Sequence, residues 1–385
     1  MIRDQETLNQ LLATISRFVR ERLIPQEDWV AENDAIPETI VEEMKDLGLF
    51  GLTIPEEYGG LGLTIEEEVL VAFELGFASP AFRSVVGTNN GIGSQGIVID
   101  GTDEQKERYL SGMAAGEIVG SFALTEPDVG SDAGSVKTTA TRDGDGFVLN
   151  GTKRYITNAP VADVFTLMAR TDPEKPGAAG VSAFLVDAAA PGLSLGRQDR
   201  KMGHAGSYTC DVILDNVRVP ASSIIGGPDR EGEGFKTAMK VLDQGRLHIA
   251  AICVGAARRL IEESLRYAME RRQFGRPIAE HQLVQAMLAD SRAEAFAGRS
   301  MVLEAARHKD AGRDVKTEAS CCKLFCSEMV GRVADRAVQI HGGAGYVADY
   351  PVERFYRDVR LFRIFEGTSQ IQQIVIARNM VREAG

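Results

Sequence analysis

The stretch GSFALTEPDVGSDAGSVKTTATRDGDGFVLNGTKRYITNAPVADVFTLMART, residues 120–171, decides the architecture. It breaks into short β-branched runs set off by turn signals, with DGDG before FVLNG and DPEKPG after FTLMART. The rhythm continues through SAFLVD and TCDVILDNVRV to about residue 232. Regular short strands with turn dipeptides predict a β-barrel or sandwich rather than βαβ units. Seven of the 13 prolines fall between Pro127 and Pro228, in agreement with that boundary.

The flanks read differently. Upstream, Leu8, Leu11, Leu12, Ile15, Phe18 and Val19 recur at three- and four-residue steps, the mark of one buried helical face. Thr64 stands as an N-cap before IEEEVLVAFELG. Downstream of Gly234 come three long helical stretches, with Pro277 in the first break and Gly312 in the second, which predict an antiparallel bundle. The expected fold is therefore multidomain α+β: an N-terminal helical domain (1–120), a middle β-domain (121–232) and a C-terminal helical bundle (233–385).

Composition bounds the function. The 385 residues carry 43 Lys plus Arg against 55 Asp plus Glu, a formal charge of −12. An acid excess argues against nucleic acid or an anionic membrane as a partner held by net charge. The five cysteines include no pair of CxxC units, and Cys321, Cys322 and Cys326 read as small half-buried apolar residues rather than metal ligands. The N-terminus mixes acids and bases along a helical period, and no apolar run reaches the length of a membrane span. No targeting segment is expected, and a cytoplasmic location is.

Five motifs need weighing. GIGSQG (91–96) fits the dinucleotide-turn pattern, but Gly101 interrupts the helix such a turn requires, so close helix packing or a bend is expected. Asn150-Gly151 reads as a hairpin turn. ALTEPDVGSD (123–132) follows an apolar strand and can present backbone N–H groups and hydroxyls to a flat heterocycle or a phosphate. QIHGGAGY (339–346) ends a long helix with glycines that serve either as a C-cap or for close approach of backbone to phosphate, and His341 within it reads as structural. RIFEGTSQIQ (363–372) places Glu366 between apolar residues and Gly367. A glutamate there either caps the next helix or acts as a base, because apolar surroundings disfavour an ionised carboxylate.

The last three blocks together resemble the acyl-CoA dehydrogenase family along the whole chain. ALTEPDVGSD is similar to its first signature, QIHGGAGYVADYPVERFYRD (339–358) to its second, and RIFEGTSQIQ to the segment that carries the catalytic glutamate in short- and medium-chain members. The resemblance implies FAD as cofactor, lying between the β-domain and the bundle. Phe122, Leu124, Thr125, Ser131, Tyr155 and Thr157 would line the flavin, Tyr155 standing where most relatives have Trp. Arg271, Gln273, Phe274, Gln282, Gln339, Gly342 and Gly343 would reach the adenylate half across a dimer interface, and Thr368 and Gln370 would close the site.

The chemistry so implied is α,β-desaturation of an acyl-CoA thioester to a trans-2-enoyl-CoA. Glu366 takes the α-proton, a β-hydride passes to flavin N5, and the thioester oxygen is held by the Glu366 backbone N–H and a flavin ribityl hydroxyl. Some relatives carry the base in the segment matching VLDQGRL, but the position there is Gly245. Ser131, Gly367, Asp243 and Arg246 would contact the substrate, Arg246 by pairing with phosphate. Electron-transferring flavoprotein is the implied acceptor and a homotetramer the implied assembly. Two other activities stay open, an acyl-CoA oxidase and a dicarboxylyl-CoA dehydrogenase. Arg83 in PAFRSVVGTN matches a position where glutaryl-CoA dehydrogenases hold an arginine, although the companion serine is replaced by Gly87. A surface arginine in a salt bridge is the plain alternative for Arg83, and a fold retained without turnover is the alternative for the chain. KMGHAGS (201–207) departs from relatives that place an arginine near His204 or Ala205.

Overall fold

The computed structural model describes residues 2–385. Seven helices fill the first third: α1 (Gln5–Phe18), α2 (Glu27–Asn33), α3 (Glu38–Asp46), α4 (Ile65–Leu75), α5 (Pro80–Thr88), α6 (Gln95–Asp100) and α7 (Asp103–Ala115). Ile15 and Phe18 of α1 are buried, as their spacing requires. Thr64 caps α4 in a reciprocal box with Glu67, satisfying two backbone N–H groups that would otherwise be orphaned. Between α5 and α6 the chain kinks at Gly91, whose φ/ψ is non-helical, and Gly93 packs so closely on Gly120 that a Cβ would lie 2.9 Å from the Gly120 carbonyl oxygen. GIGSQG is thus a bend that seats the first strand.

The middle region is one curled seven-stranded sheet: β1 (Gly120–Ala123), β2 (Thr139–Asp143), β3 (Gly146–Thr157), β4 (Val164–Arg170), β5 (Val181–Asp187), β6 (Leu193–Leu195) and β7 (Thr209–Pro220). Its order is β1-β4-β2-β3-β7-β6, with β5 also pairing β4. The β1–β4 pair is parallel, whereas β2–β3, β3–β7 and β4–β5 are antiparallel. Asn150-Gly151 corrects the sequence expectation. The pair lies inside β3 at a register shift against β7, and the β2–β3 turn is made around Gly144 instead. A Cβ on Gly151 would meet Thr138 Oγ1 at 2.5 Å, so glycine is required here for close strand contact rather than for a turn.

The last third begins with α8 (Gly234–Glu270), continues through a small hairpin of β8 (Arg272–Gln273) and β9 (Arg276–Pro277), and then α9 (Gln282–Asp310), α10 (Lys316–His341), α11 (Pro351–Val359) and α12 (Ser369–Ala384). The largest core joins α1, α4 and α5 to α8, α9 and α10. It includes Cys253, Cys322 and Cys326 as small apolar members. A second core lies within the sheet, and a third, carrying Phe122 and Leu124, joins the sheet to α7 and α8. Among the described residues no helix is long and apolar enough to cross a membrane.

Candidate active site

Where the sheet meets the bundle a chamber of about 450 Å³ opens. Phe122, Leu124 and Thr125 from the end of β1, Ser131 from the following loop, and Tyr155 and Thr157 from β3 line one side. Met239, Leu242 and Arg246 of α8, together with Phe365, Glu366 and Gly367, line the other. The loop is shaped by buried charge. The Glu126 carboxylate accepts from the Lys137 and Thr138 backbone N–H groups at 2.7 and 2.9 Å and from Lys153 Nζ at 2.7 Å. Burial alone would raise the carboxyl, yet Lys153 and these donors hold it below its usual range, while burial pushes Lys153 down to about 8. Removing either partner would strand the other at a cost of about 3–5 kcal/mol.

Tyr155 reaches the chamber through a defect in β3. Register slips between Lys153 and Ile156, and Tyr155 sits at φ 58°, which turns its ring out of the sheet. The Arg154 guanidinium covers that ring at 4.8 Å and is itself anchored to Asp211.

Glu366 is held under strain. Its φ is 52° in the left-handed region, followed by Gly367 at 86°, a conformation that costs a non-glycine residue about 1–3 kcal/mol and persists only where surroundings enforce it. Two side chains enforce it. Gln372 Nε2 donates to the carbonyls of both Glu366 and Gly367 at 3.1 Å, and Lys323 Nζ donates to the Gly367 carbonyl at 2.5 Å. Lys323 is fully buried on α10, and burial pushes it down to about 8. The helix cap is supplied by Thr368, whose hydroxyl accepts from the Ile371 N–H at 3.2 Å, so Glu366 is not needed for that task. Its Oε2 is buried without any hydrogen-bond partner, and its backbone N–H donates no bond among the described residues. A desolvated acceptor and a free donor therefore stand side by side in the chamber.

Gly245 of α8 faces that carboxylate. A Cβ there would lie 2.6 Å from Glu366 Oε2, so the helix position and the loop glutamate converge on one point in space, and a side chain on the helix would push the carboxylate aside. Behind Glu366 lies a small recess of about 30 Å³, lined by Glu68, Arg83, Gln244, Gly245 and His248 among others. Arg83 is buried, which excludes the surface reading; burial lowers its proton affinity while Glu366 and Glu68 oppose that effect.

Not every expected residue gathers here. Thr368 and Gln370 are absent from the chamber wall, where Ile371 and Val375 take their place. Arg246 lines the wall and is buried; its Nη1 is bound to Asp243 Oδ1 at 2.6 Å, whereas its Nε is buried without a hydrogen-bond partner. Arg271, Gln273, Phe274, Gln282, Gln339, Gly342 and Gly343 all lie exposed, outside the chamber, and Arg271 lines a separate hollow beside Tyr267 and His341. His341 is structural: it stacks on Tyr267 at 4.3 Å and bonds the Ala337 carbonyl.

Sequence reasoning missed Lys323, Gln372, His248 and Glu68, since nothing local marks a buried lysine in a helix or a contact across 180 residues. His204 lies in KMGHAGS, where the sequence departs from its relatives. It sits at φ 55°, bonds the Asp358 side chain and carbonyl at 2.6 and 2.9 Å, and packs edge-on to Phe362 and Phe365. Burial brings its ring down to about 4 and lifts Asp358 to about 6, so a neutral imidazole fills the place at the chamber wall.

Apolar faces from Phe122, Leu124, Tyr155 and Ile156 with hydroxyls of Thr125, Ser131 and Thr157 at their edge suit a flat, polar-rimmed ring such as a flavin. Comparison with known proteins agrees. Residues 5–117, 121–217 and 232–381 match the N-terminal, middle and C-terminal domains of acyl-CoA dehydrogenase. The chain is 41% identical to a 3-(aryl)acrylate reductase of Clostridium sporogenes over 97% of its length and 98% of that protein's. A solved butyryl-CoA dehydrogenase from Megasphaera elsdenii superimposes with a TM-score of 0.94 at 32% identity, covering 99% of this chain and 100% of that one. A glutaryl-CoA dehydrogenase from Mycobacterium smegmatis gives 0.91 at 33% identity, covering 98% and 95%.

Proposed function

This chain belongs to the acyl-CoA dehydrogenase family, an FAD-dependent family of oxidoreductases, and we propose that it desaturates an acyl-CoA thioester with Glu366 as the base. The observation that carries this reading is the partnerless, buried Oε2 of Glu366, held at a strained backbone in a chamber suited to a flavin. In the proposed reaction the Glu366 backbone N–H holds the thioester oxygen, which acidifies the α-carbon, and Oε2 removes the α-proton. Bound FAD supplies the acceptor for the β-hydrogen. Phe122, Leu124 and Tyr155 exclude water, and Lys323 and Gln372 keep the loop in its strained shape. In the opposite direction the protonated Glu366 returns the same proton, which would suit a reductase such as the Clostridium relative.

The exposed adenylate-side residues support an assembly in which a second copy completes the cofactor site, and electron-transferring flavoprotein is the proposed acceptor. Glu366→Gln is expected to keep its flavin yet bleach, in anaerobic titration with acyl-CoA thioesters, at least about 10³-fold more slowly, consistent with loss of the base. A rate near wild type would refute the assignment.

A second reading has its own observation. Arg83 is buried in a recess where polar side chains, among them Glu68, Asn90, Gln95, Gln244 and His248, outnumber the apolar Ile92 and Val241, an environment poorly suited to the end of an alkyl chain. That favours an acyl group with a distal carboxylate. Arg83→Ala should then lower kcat/KM for glutaryl-CoA selectively, and an unchanged ratio to pentanoyl-CoA would remove the reading.

A further inference from the structure

The recess behind Glu366 is built from charge. Arg83 of α5, Glu68 of α4 and His248 of α8 are only 7%, 5% and 8% exposed. Arg83 Nε donates to His248 Nε2 at 2.7 Å, and on the other side of the ring His248 Nδ1 meets Glu68 Oε1. An arginine Nε–H can only donate, so His248 Nε2 must accept. The imidazole is therefore neutral, carries its proton on Nδ1 and gives that bond to Glu68. The carboxylate reaches the guanidinium through the ring without adding a second cation to the recess. Both terminal Nη groups of Arg83 lack a protein partner among the described residues, and Arg83 borders the chamber and the recess together with Glu366. Gly87, one turn along α5, makes room for this arrangement, since a Cβ there would lie 2.5 Å from Arg83 Nε.

We propose that Glu68 and His248 are positioning residues that hold Arg83 by its Nε and so present its two Nη groups to a carboxylate at the far end of the acyl group. Two parallel N–H···O bonds from a guanidinium fork match that ligand, and tethering the fork in advance spares the ordering of a long side chain on binding. The ligand class rests on the acyl-CoA reading above, whereas the tether is a property of the protein alone.

The test uses the FAD-loaded enzyme with glutaryl-CoA and pentanoyl-CoA, which differ by the distal carboxylate. In His248→Leu, kcat/KM for glutaryl-CoA should fall about tenfold further than for pentanoyl-CoA, mainly through KM, the size expected for loosening a hydrogen bond to a charged group. His248→Gln, whose amide oxygen can accept from Nε–H, should recover most of that loss. Equal losses on both thioesters, or a glutamine variant no better than leucine, would overturn the positioning role. Solid-state ¹⁵N spectra of the histidine-labelled holoenzyme provide a readout free of substrate. A neutral, Nδ1-protonated ring that vanishes in His248→Gln is expected, and an Nε2-protonated or doubly protonated ring would sink the tether. A wild-type enzyme that turns over pentanoyl-CoA and ignores glutaryl-CoA would overturn the carboxylate, and one that no thioester bleaches would overturn the acyl-CoA reading while the nitrogen spectrum still decides the tether.

Discussion

Gly245→Ala separates catalysis from stability more cleanly than any change at Glu366 itself. The added Cβ would stand 2.6 Å from Glu366 Oε2, where ordinary contact begins near 3.4 Å, so the carboxylate must retreat by roughly 0.8 Å. The obstacle is the mobile end of one side chain, so the fold yields easily. Alanine is moreover favoured over glycine in a helix interior by about 0.5–1 kcal/mol, and Gly245 lies well inside α8. Melting temperature should therefore hold or rise. The reacting geometry has no such slack, and a misplacement of about 1 Å can cost on the order of 10²-fold in rate. The assay is rapid anaerobic mixing of the FAD-loaded variant with a thioester that bleaches the wild type, with melting temperature and flavin content measured on the same sample. Bleaching within about threefold of wild type, less than ~1 kcal/mol of barrier, would show that Glu366 does not act from where the structure holds it.

Two further outcomes follow from the same site. Lys323, brought to about 8 by burial, binds fewer protons in the folded state than in the unfolded state between about 8 and its ordinary value of 10.5. Its contribution to stability therefore rises with pH through that window and is flat below it. Lys323→Met should lessen the rise of melting temperature with pH, leaving the share that Lys153 contributes in the same window, and slow bleaching by releasing the Gly367 carbonyl; parallel pH profiles for variant and wild type would refute the buried titration. Phe274 is 92% exposed at the tip of the β8–β9 hairpin, so Phe274→Asp should spare the fold of one copy while lowering both the assembly mass by light scattering and the FAD retained. A variant that keeps mass and flavin would exclude this hairpin from the cofactor site of a second copy.

Much of the fold was legible because it is written in local periodicity. Helical spacing in α1, the capping box at Thr64 and the turn-punctuated strands after Gly120 each reflect contacts within a few residues. Asn150-Gly151 misled because a dipeptide that favours a turn also suits a bulge, and only the contact with Thr138 shows which need is being met. The site divides in the same way. Glu366, the 123–132 loop and Tyr155 lie in contiguous blocks and could be recognised from them.

The residues that tune the site could not. Lys323 reaches Gly367 across 44 positions and His248 reaches Glu68 across 180, and in each case the residue looks from its neighbours like part of an ordinary amphipathic helix. What gives them a role is burial: a lysine with no exposed surface must find an acceptor, and a histidine between a buried arginine and a buried glutamate has one tautomer that satisfies both. Burial of that kind is set by α4, α5, α8 and α10 packing together, so the chemistry open to this chamber is specified partly by the motif that carries Glu366 and partly by the core that decides which polar groups are denied water.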